Sequence, residues 1–304
     1  MSFNEITSIV AMQGFSGLSL FTVLLLMALG LAIIFGQMGV INMAHGEFMT
    51  IGAYMVYLFS ELQKSYFPSL GGVYFIPAIV ASFVVAAAVG YVVERVLIRR
   101  LYKRPLDTLL ATWGLSLGLQ QVFRSVFGPK EVSAELPQWL LGSFKATPTI
   151  DIPRNGIFVM GLTIVVSVGV YLLLLKSRWG VRIRATTQNR VMAAAVGINT
   201  DRVDAFTFAL GCGIAGLAGA AFTTIGSTGP TSGSLYIVDT FLVVVFGGAA
   251  SLLGTITSAF SIAQVESLLE FFLSNSMAKV ATLLAIVLIL MVRPQGLFAA
   301  KVRT

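Results

Sequence analysis

Apolar runs of about twenty residues recur along the chain, with polar segments between them. A helix needs roughly 20 apolar residues to cross a bilayer, so each run predicts a membrane-spanning helix. The strands of a membrane barrel would alternate polar and apolar residues, and the sequence lacks that pattern. We therefore predict an all-α, polytopic transmembrane helical bundle with about 8–9 spans. The spans are expected at about 18–35, 40–59, 73–93, 108–127, 156–175, 205–225, 235–252, 254–273 and 277–292.

The second run is the least regular of these. Its first half carries Asn42, His45 and Glu47, and it follows a break at 36–39. Polar and ionisable groups at membrane depth are costly unless they face water or a partner, so they often mark a transport pathway. The alternative is that the three residues cap and tie together a broken helix. We expect 40–59 to be either a clean span or a broken, re-entrant helix.

A long polar segment, 176–204, interrupts the C-terminal half of the chain. It holds six of the chain's twenty basic residues. Its middle, from about Thr187 to Val196, is predicted to form a short helix that ends at Gly197. A charged helix held between two groups of spans is a candidate docking site for another protein.

Composition and charge fix the expected orientation. The sequence is 57% hydrophobic and 11% charged, against roughly 25% charged in soluble domains. The net charge of +7 is explained by cytoplasmic loops rather than by nucleic-acid binding. Basic segments at 94–107, 176–204 and after 292 are placed in the cytoplasm, and the balanced loop 128–155 outside. The N-terminus is then outside and the C-terminus cytoplasmic, in a single integral membrane domain over 1–304.

Polar residues in other spans are expected to face the bundle interior. Gln121 and Arg124 occupy the fourth span, and Glu266 and Glu270 lie four residues apart on one helix face. Asp239 follows a loop rich in glycine and proline. We interpret these groups as buried pairs, with substrate contact as the alternative.

Catalysis has little support in the sequence. His45 is the single histidine and Cys212 the single cysteine, so a two-histidine zinc site and an internal disulfide are excluded. The ATP-binding pattern G-x-x-x-x-G-K-[ST] does not occur. We predict a non-enzymatic chain without a metal site. If ATP drives its function, another polypeptide must bind ATP and Mg.

Four segments carry a family resemblance. Residues 35–57, FGQMGVINMAHGEFMTIGAYMVY, resemble the N-terminal hallmark of permease subunits of ABC importers for branched-chain amino acids and related solutes. Residues 178–211 resemble that family's cytoplasmic loop, a variant of its coupling motif. The segments 246–255 and 292–298 also fit, and the match covers nearly the whole chain in order.

Two stretches, 104–121 and 184–198, resemble urea permeases more than amino-acid permeases. The resemblance implies the first of two permease subunits of a bacterial urea importer in the inner membrane, working by alternating access. A branched-chain amino acid permease is the alternative; a self-sufficient channel or secondary transporter and a membrane-embedded enzyme are the rivals. The implied partners are a second homologous permease, two ATPase subunits that bind ATP and Mg, and a periplasmic substrate-binding protein.

The resemblance also directs attention to particular residues. Arg178, Arg182 and Arg184 are expected to fix the topology and to anchor lipid headgroups, with direct contact with the ATPase as the alternative. The candidates for the translocation path are Asn42, His45, Glu47, Thr50, Gln121, Thr223 and Asp239. The candidates for ATPase coupling are Thr187, Gln188, Asn189, Arg190, Ala193, Ala194 and Gly197.

Overall fold

The computed structural model describes residues 3–66, 72–102, 104–147, 150–248, 251–293 and 296, and these are almost entirely helical. The helices are α1 (Phe3–Met38), α2 (His45–Tyr66), α3 (Phe75–Val93), α4 (Arg99–Leu101), α5 (Pro105–Phe127), α6 (Arg154–Lys176), α7 (Arg178–Gln188), α8 (Arg190–Ala195), α9 (Thr200–Phe222), α10 (Ser232–Gly247), α11 (Leu252–Phe272) and α12 (Asn275–Val292). A π-helical turn, Glu94–Ile98, joins α3 to α4. An antiparallel hairpin, β1 (Ser143–Thr147) and β2 (Ile150–Pro153), precedes α6.

The all-α membrane bundle is confirmed, and every predicted span corresponds to one helix. Six helical stretches are long and apolar enough to cross a membrane, judged by their length and composition. They are Met12–Met38, Phe75–Leu101, Arg154–Lys176, Thr200–Phe222, Leu252–Phe272 and Asn275–Val292. The other three predicted spans correspond to α2, α5 and the shorter α10.

The second predicted span is a broken helix. Residues 39–44 are not helical, and Gly39 has a φ of 65°. Helix α2 begins at His45, whose Nε2 lies 3.2 Å from the carbonyl oxygen of Met27, in the middle of α1. The first turn of α2 therefore lies within the bundle rather than at its surface. A break of this kind is tolerated in a membrane protein where neighbouring helices bury it.

Helix α9 lies at the centre of the bundle and packs through glycines. A Cβ added at Gly216 would overlap the carbonyl oxygen of Ser82 in α3, and one at Gly219 would overlap that of Met49 in α2. Small residues allow membrane helices to approach this closely. The glycines of the α9 span thus serve helix packing.

The glycine contacts predict a stability difference between two equivalent substitutions. Gly219→Ala should destabilise the protein by about 1–3 kcal/mol, because the added methyl group has no space against α2. Gly169→Ala in α6 is the matched control, since nothing lies within 4 Å of a Cβ at that position. Thermal unfolding of the two purified variants measures the difference. Equal melting temperatures would contradict the packing role of Gly219.

The polar segment 176–204 contains two helices rather than one. The predicted helix from Thr187 to Val196 is wrong at its start, because Thr187 and Gln188 belong to α7. Asn189 has extended backbone angles, and its side chain accepts a hydrogen bond from the backbone N–H of Met192 at 3.0 Å. Asparagine competes for backbone donors in this way, so it ends α7 and caps the start of α8.

Gly197 ends α8 as predicted. Its φ is 86°, a left-handed conformation that glycine adopts without strain. The N–H of Ile198 donates to the carbonyl oxygen of Ala193, and the N–H of Gly197 donates to that of Ala194, each at 3.0 Å. This pair of hydrogen bonds is a Schellman motif, which fixes the direction in which the chain leaves α8.

Candidate functional site

A buried polar cluster forms where α2 begins, and we call it the Glu47 cluster. It contains Asn42, His45 and Glu47 together with Ser116 and Gln120 of α5. Glu47 Oε1 accepts hydrogen bonds from Ser116 Oγ at 2.9 Å and from Gln120 Nε2 at 2.8 Å. Thus α5 closes over the first turn of α2, and the contact at this level is polar.

Three atoms of this cluster are buried without a hydrogen-bond partner among the described residues: Asn42 Nδ2, His45 Nδ1 and Glu47 Oε2. The Met27 carbonyl oxygen can only accept, so His45 Nε2 carries the proton and Nδ1 is left as an acceptor. One donor and two acceptors are therefore left unsatisfied. Buried polar atoms of native proteins are nearly always paired, so such a group points to a bound water, ion or solute.

Helix α10 also begins at this place. Gly46 of α2 and Gly233 of α10 are in backbone contact, and Thr50 Oγ1 accepts a hydrogen bond from the N–H of Gly233 at 3.0 Å. Two helix N-termini thus meet inside the bundle. Helix N-termini carry partial positive charge and free N–H groups, which favour negatively charged or carbonyl oxygens nearby.

Four of the seven residues predicted for the path, Asn42, His45, Glu47 and Thr50, are buried at the start of α2. They face different neighbours, because His45 contacts α1, Glu47 contacts α5 and Thr50 contacts α10. Thr223 lies instead at the end of α9, where its hydroxyl donates to the carbonyl oxygen of Ala220 at 2.8 Å. The remaining two predicted path residues, Gln121 and Asp239, lie outside the Glu47 cluster.

Gln121 and Arg124 do not face the bundle interior, so that expectation is wrong for this single chain. Both are exposed. Helix α5 packs through Thr112, Ser116 and Gln120, and the residue that follows Gln120 is turned away by about 100°. Gln120, rather than the predicted Gln121, is therefore the residue that contacts Glu47. The sequence pattern already pointed to Gln120, because Thr112, Ser116 and Gln120 repeat at intervals of four and define one polar helix face.

Asp239 belongs to a separate ionic cluster between α10, α11 and α12. Lys279 Nζ lies 3.4 Å from Asp239 Oδ2 and 4.0 Å from Glu266 Oε1. Lys279 also lies over the ring of Tyr236 at 5.1 Å. Glu266 is buried and Asp239 is partly buried, and both face Lys279, a cation that was not among the predicted residues. Among the described residues no three His, Cys, Asp or Glu side chains are placed to hold a metal ion.

Helix α8 is held to the bundle by Arg190. Its Nη1 lies 2.6 Å from Asp204 Oδ2, its Nη2 lies 3.2 Å from Asp201 Oδ1, and its guanidinium lies 5.0 Å from the ring centre of Tyr102. Asp204 is buried. Burial, then the nearby carboxylates of Asp204 and Glu94, raise the pKa of Tyr102, so its phenol stays neutral.

A second arginine extends this network to α3. Arg99 Nη2 lies 3.4 Å from the buried Glu94 and donates to the carbonyl oxygen of Asp201 at 3.0 Å. The ends of α3, α8 and α9 are thus joined by alternating charges. Of the other predicted coupling residues, Thr187 donates to the carbonyl oxygen of Gln37 at 2.9 Å, at the end of α1.

The outward side of α8 is apolar and uncovered in this chain. Val191, Met192 and Val196 are 78%, 62% and 75% exposed. Ala193 is buried, whereas Ala194 and Gly197 are exposed. Two exposed apolar side chains on a six-residue helix, with a third at its C-cap, are typical of a protein-interaction surface.

Removing the positive charge of Arg190 should destabilise the protein. Arg190→Met keeps the side-chain stem but leaves the buried Asp204 without its cation. We expect the free energy of unfolding to fall by about 1–3 kcal/mol. This is less than for a fully buried ion pair, because Arg190 is half exposed. Thermal unfolding measures it, with the exposed Arg178→Met as the control. Arg190→Asp combined with Asp204→Arg should recover part of the loss, and no recovery would count against the ion pair.

Comparison with known proteins identifies the chain's relatives. A family model described as "Branched-chain amino acid transport system / permease component" matches residues 14–292. The chain belongs to this permease family. The permease is 30% identical over 294 residues to the high-affinity branched-chain amino acid transport system permease protein LivH of Escherichia coli K12, covering 94% of each chain. It is 27% identical over 288 residues to BraD of Pseudomonas aeruginosa, covering 93% of each.

A probable branched-chain amino acid transport permease of Methanocaldococcus jannaschii is 25% identical to the permease over 292 residues, with 90% of this chain and 88% of the relative covered. No solved structure matches the permease. The relatives are named as transport permeases, so the chain is a multi-pass membrane transport subunit rather than an enzyme.

Proposed function

We propose that the permease is the membrane subunit of an ATP-driven importer, and that a separate ATPase docks on α8. The exposed apolar side of α8 carries the proposal. Arg190 joins this helix to α9, and Arg99 joins the start of α9 to the end of α3, so a movement of α8 can reach the bundle. The sequence has no Walker A pattern, so the energy of ATP must reach it from another chain. ATP and Mg are then bound by that partner.

The assembly we propose contains two ATPase subunits, a second homologous permease and a periplasmic substrate-binding protein, in a bacterial inner membrane. Segment 176–204 lies in the cytoplasm with the C-terminus, in keeping with its basic residues. Movement of α7 and α8 on ATP binding is passed to the flanking helices α6 and α9. The bundle then alternates between outward and inward openings, as in other alternating-access transporters.

The second permease is proposed to cover the outward face of α5. Gln121 and Arg124 are exposed there, and nothing lies within 4 Å of a Cβ placed at Gly114 or Gly118. Polar side chains on a membrane helix require a partner or a water-filled path. A path between the two permeases would have Gln121 on its surface and the Glu47 cluster directly behind it, since Gln120 contacts Glu47.

Urea is the substrate we propose. The segment 104–121 resembles urea permeases and forms most of α5, the helix that places Ser116 and Gln120 against Glu47. Urea has one carbonyl acceptor and several N–H donors. Asn42 Nδ2 can donate, and His45 Nδ1 and Glu47 Oε2 can accept, so the buried start of α2 offers both kinds of group that urea requires. Branched-chain amino acids are the second candidate, supported by the names of the relatives.

Uptake by the reconstituted importer tests both parts of the proposal. Vesicles containing the permease, its ATPase partners and the binding protein should accumulate radiolabelled urea only when ATP is supplied. Excess unlabelled urea should suppress this uptake, and excess leucine should not. ATP-dependent accumulation of radiolabelled leucine, with none of urea, would instead assign the amino-acid substrate. Uptake driven by an ion gradient with the permease alone would instead identify a secondary transporter.

A further inference from the structure

A basic cavity of about 490 Å³ lies beside the coupling helices, between α7 and the start of α9. Arg182 and Arg202 supply its positive charge, and both are exposed. None of its lining residues in the described chain is acidic. The nearest carboxylate in the sequence, Asp201, already contacts Arg99 and Arg190. The cavity therefore keeps a net positive charge of about two.

An apolar cavity of about 420 Å³ continues from the basic one. Its lining comes from α3, α6 and α9 and includes Phe83, Ala87, Leu173 and Leu210. No polar side chain lines it within the described residues. Phe206, which lines it too, is 51% exposed, so this groove is reached from the surface of the bundle.

The two cavities share Trp179 and Phe206. These rings meet edge to face with their centres 5.6 Å apart. The guanidinium of Arg182 lies 5.9 Å from the Trp179 ring, on the basic side. Tryptophan favours the boundary between lipid headgroups and acyl chains, because its ring is apolar and its N–H is polar. Trp179 thus marks the level at which a polar site becomes an apolar one.

We infer that the two cavities form one binding site for an anionic phospholipid. The phosphate lies between Arg182 and Arg202, and an acyl chain lies along Phe83, Leu173 and Leu210. Basic pockets between membrane helices bind anionic headgroups, and the adjoining groove supplies the apolar contact that such a lipid needs. A free phosphate ion would use the basic half and leave the apolar half uncovered.

The lipid would also touch the segment that joins α8 to α9. Val196 and Gly197 line the basic cavity, and Gly197 ends α8. The occupied site would therefore support the end of the coupling helix from the membrane side. The inference stands without the proposed substrate or ATPase, because it depends on the two cavities and their charges alone.

Tryptophan quenching by brominated lipids tests the site. Trp113→Phe and Trp139→Phe leave Trp179 as the single tryptophan of the full-length permease. In vesicles, phosphatidylglycerol with brominated chains should quench Trp179 with a binding constant roughly tenfold above that of brominated phosphatidylcholine. Arg182→Gln combined with Arg202→Gln should bring the ratio to about one. An unchanged ratio in the double variant would overturn the inference.

Three controls separate the alternatives. Arg178→Gln removes a nearby exposed charge that does not line the cavity, and the preference should persist. Ala87→Leu fills the apolar groove, and it should weaken quenching by both brominated lipids. Inorganic phosphate added to the vesicles should leave the preference intact. Loss of the preference on adding phosphate would identify a free-phosphate site and contradict a lipid site.

Discussion

Replacing Val191 with aspartate should abolish ATP-dependent uptake and leave the permease folded in the membrane. Val191 is 78% exposed, so the single chain loses no packing when it is replaced. In the assembly, the new carboxylate would be buried against the ATPase without a partner. Central positions of an interface cost 2 kcal/mol or more when disrupted, so ATPase binding should weaken by at least about thirtyfold. Co-purification of the ATPase and uptake in vesicles measure the two effects.

Val191→Thr is the matched control, because threonine has the shape of valine and carries no charge. We expect it to retain most of the uptake. Melting temperatures of both variants should equal that of the parent chain. If Val191→Asp transports at the parent rate, α8 is not the docking surface.

Glu47→Gln is expected to reduce the rate of uptake by about ten- to a hundredfold, the range for losing a hydrogen bond to a charged group. The substitution preserves volume and keeps an oxygen for Ser116 and Gln120. It replaces the unsatisfied Oε2 by an amide that donates rather than accepts. A substrate that donates to this position would then meet a second donor.

Glu61→Gln provides the comparison, because Glu61 is on the same helix with its side chain 45% exposed. Its uptake rate should not change. Both variants should unfold at the parent temperature. Parent-like uptake by Glu47→Gln would assign Glu47 to packing between α2 and α5 and remove it from the path.

The sequence predicted the helices well because long apolar runs have few alternatives in a membrane. It also marked 40–59 as either a clean or a broken helix from Asn42, His45 and Glu47, and it placed the end of α8 at Gly197. These features are local, and each depends on a handful of neighbouring residues. The error at the start of α8 was local too, since Asn189 was available as a cap but was assigned to the helix interior.

Features that depend on distant contacts were not predicted. The choice between Gln120 and Gln121 depends on which face α5 turns towards α2, and that is decided by Glu47, 73 residues away from Gln120. The contact of Arg99 with Asp201 joins residues 102 positions apart. The apolar cavity is lined by residues of α3, α6 and α9, which are far apart in the sequence. Composition shows that such groups exist, and tertiary packing decides which of them meet.

The buried start of α2 also constrains how the chain is made. The hydroxyl oxygen of Thr50 accepts a hydrogen bond from the N–H of Gly233, which lies 183 residues further along the chain. A ribosome that has delivered α2 to the membrane must still synthesise α3 to α9 before α10 can complete this contact. Until then, the start of α2 lacks its contact with α10, although His45 and Glu47 can already meet α1 and α5. Biogenesis of the permease is therefore expected to finish only after translation of α10, and truncated chains should be degraded.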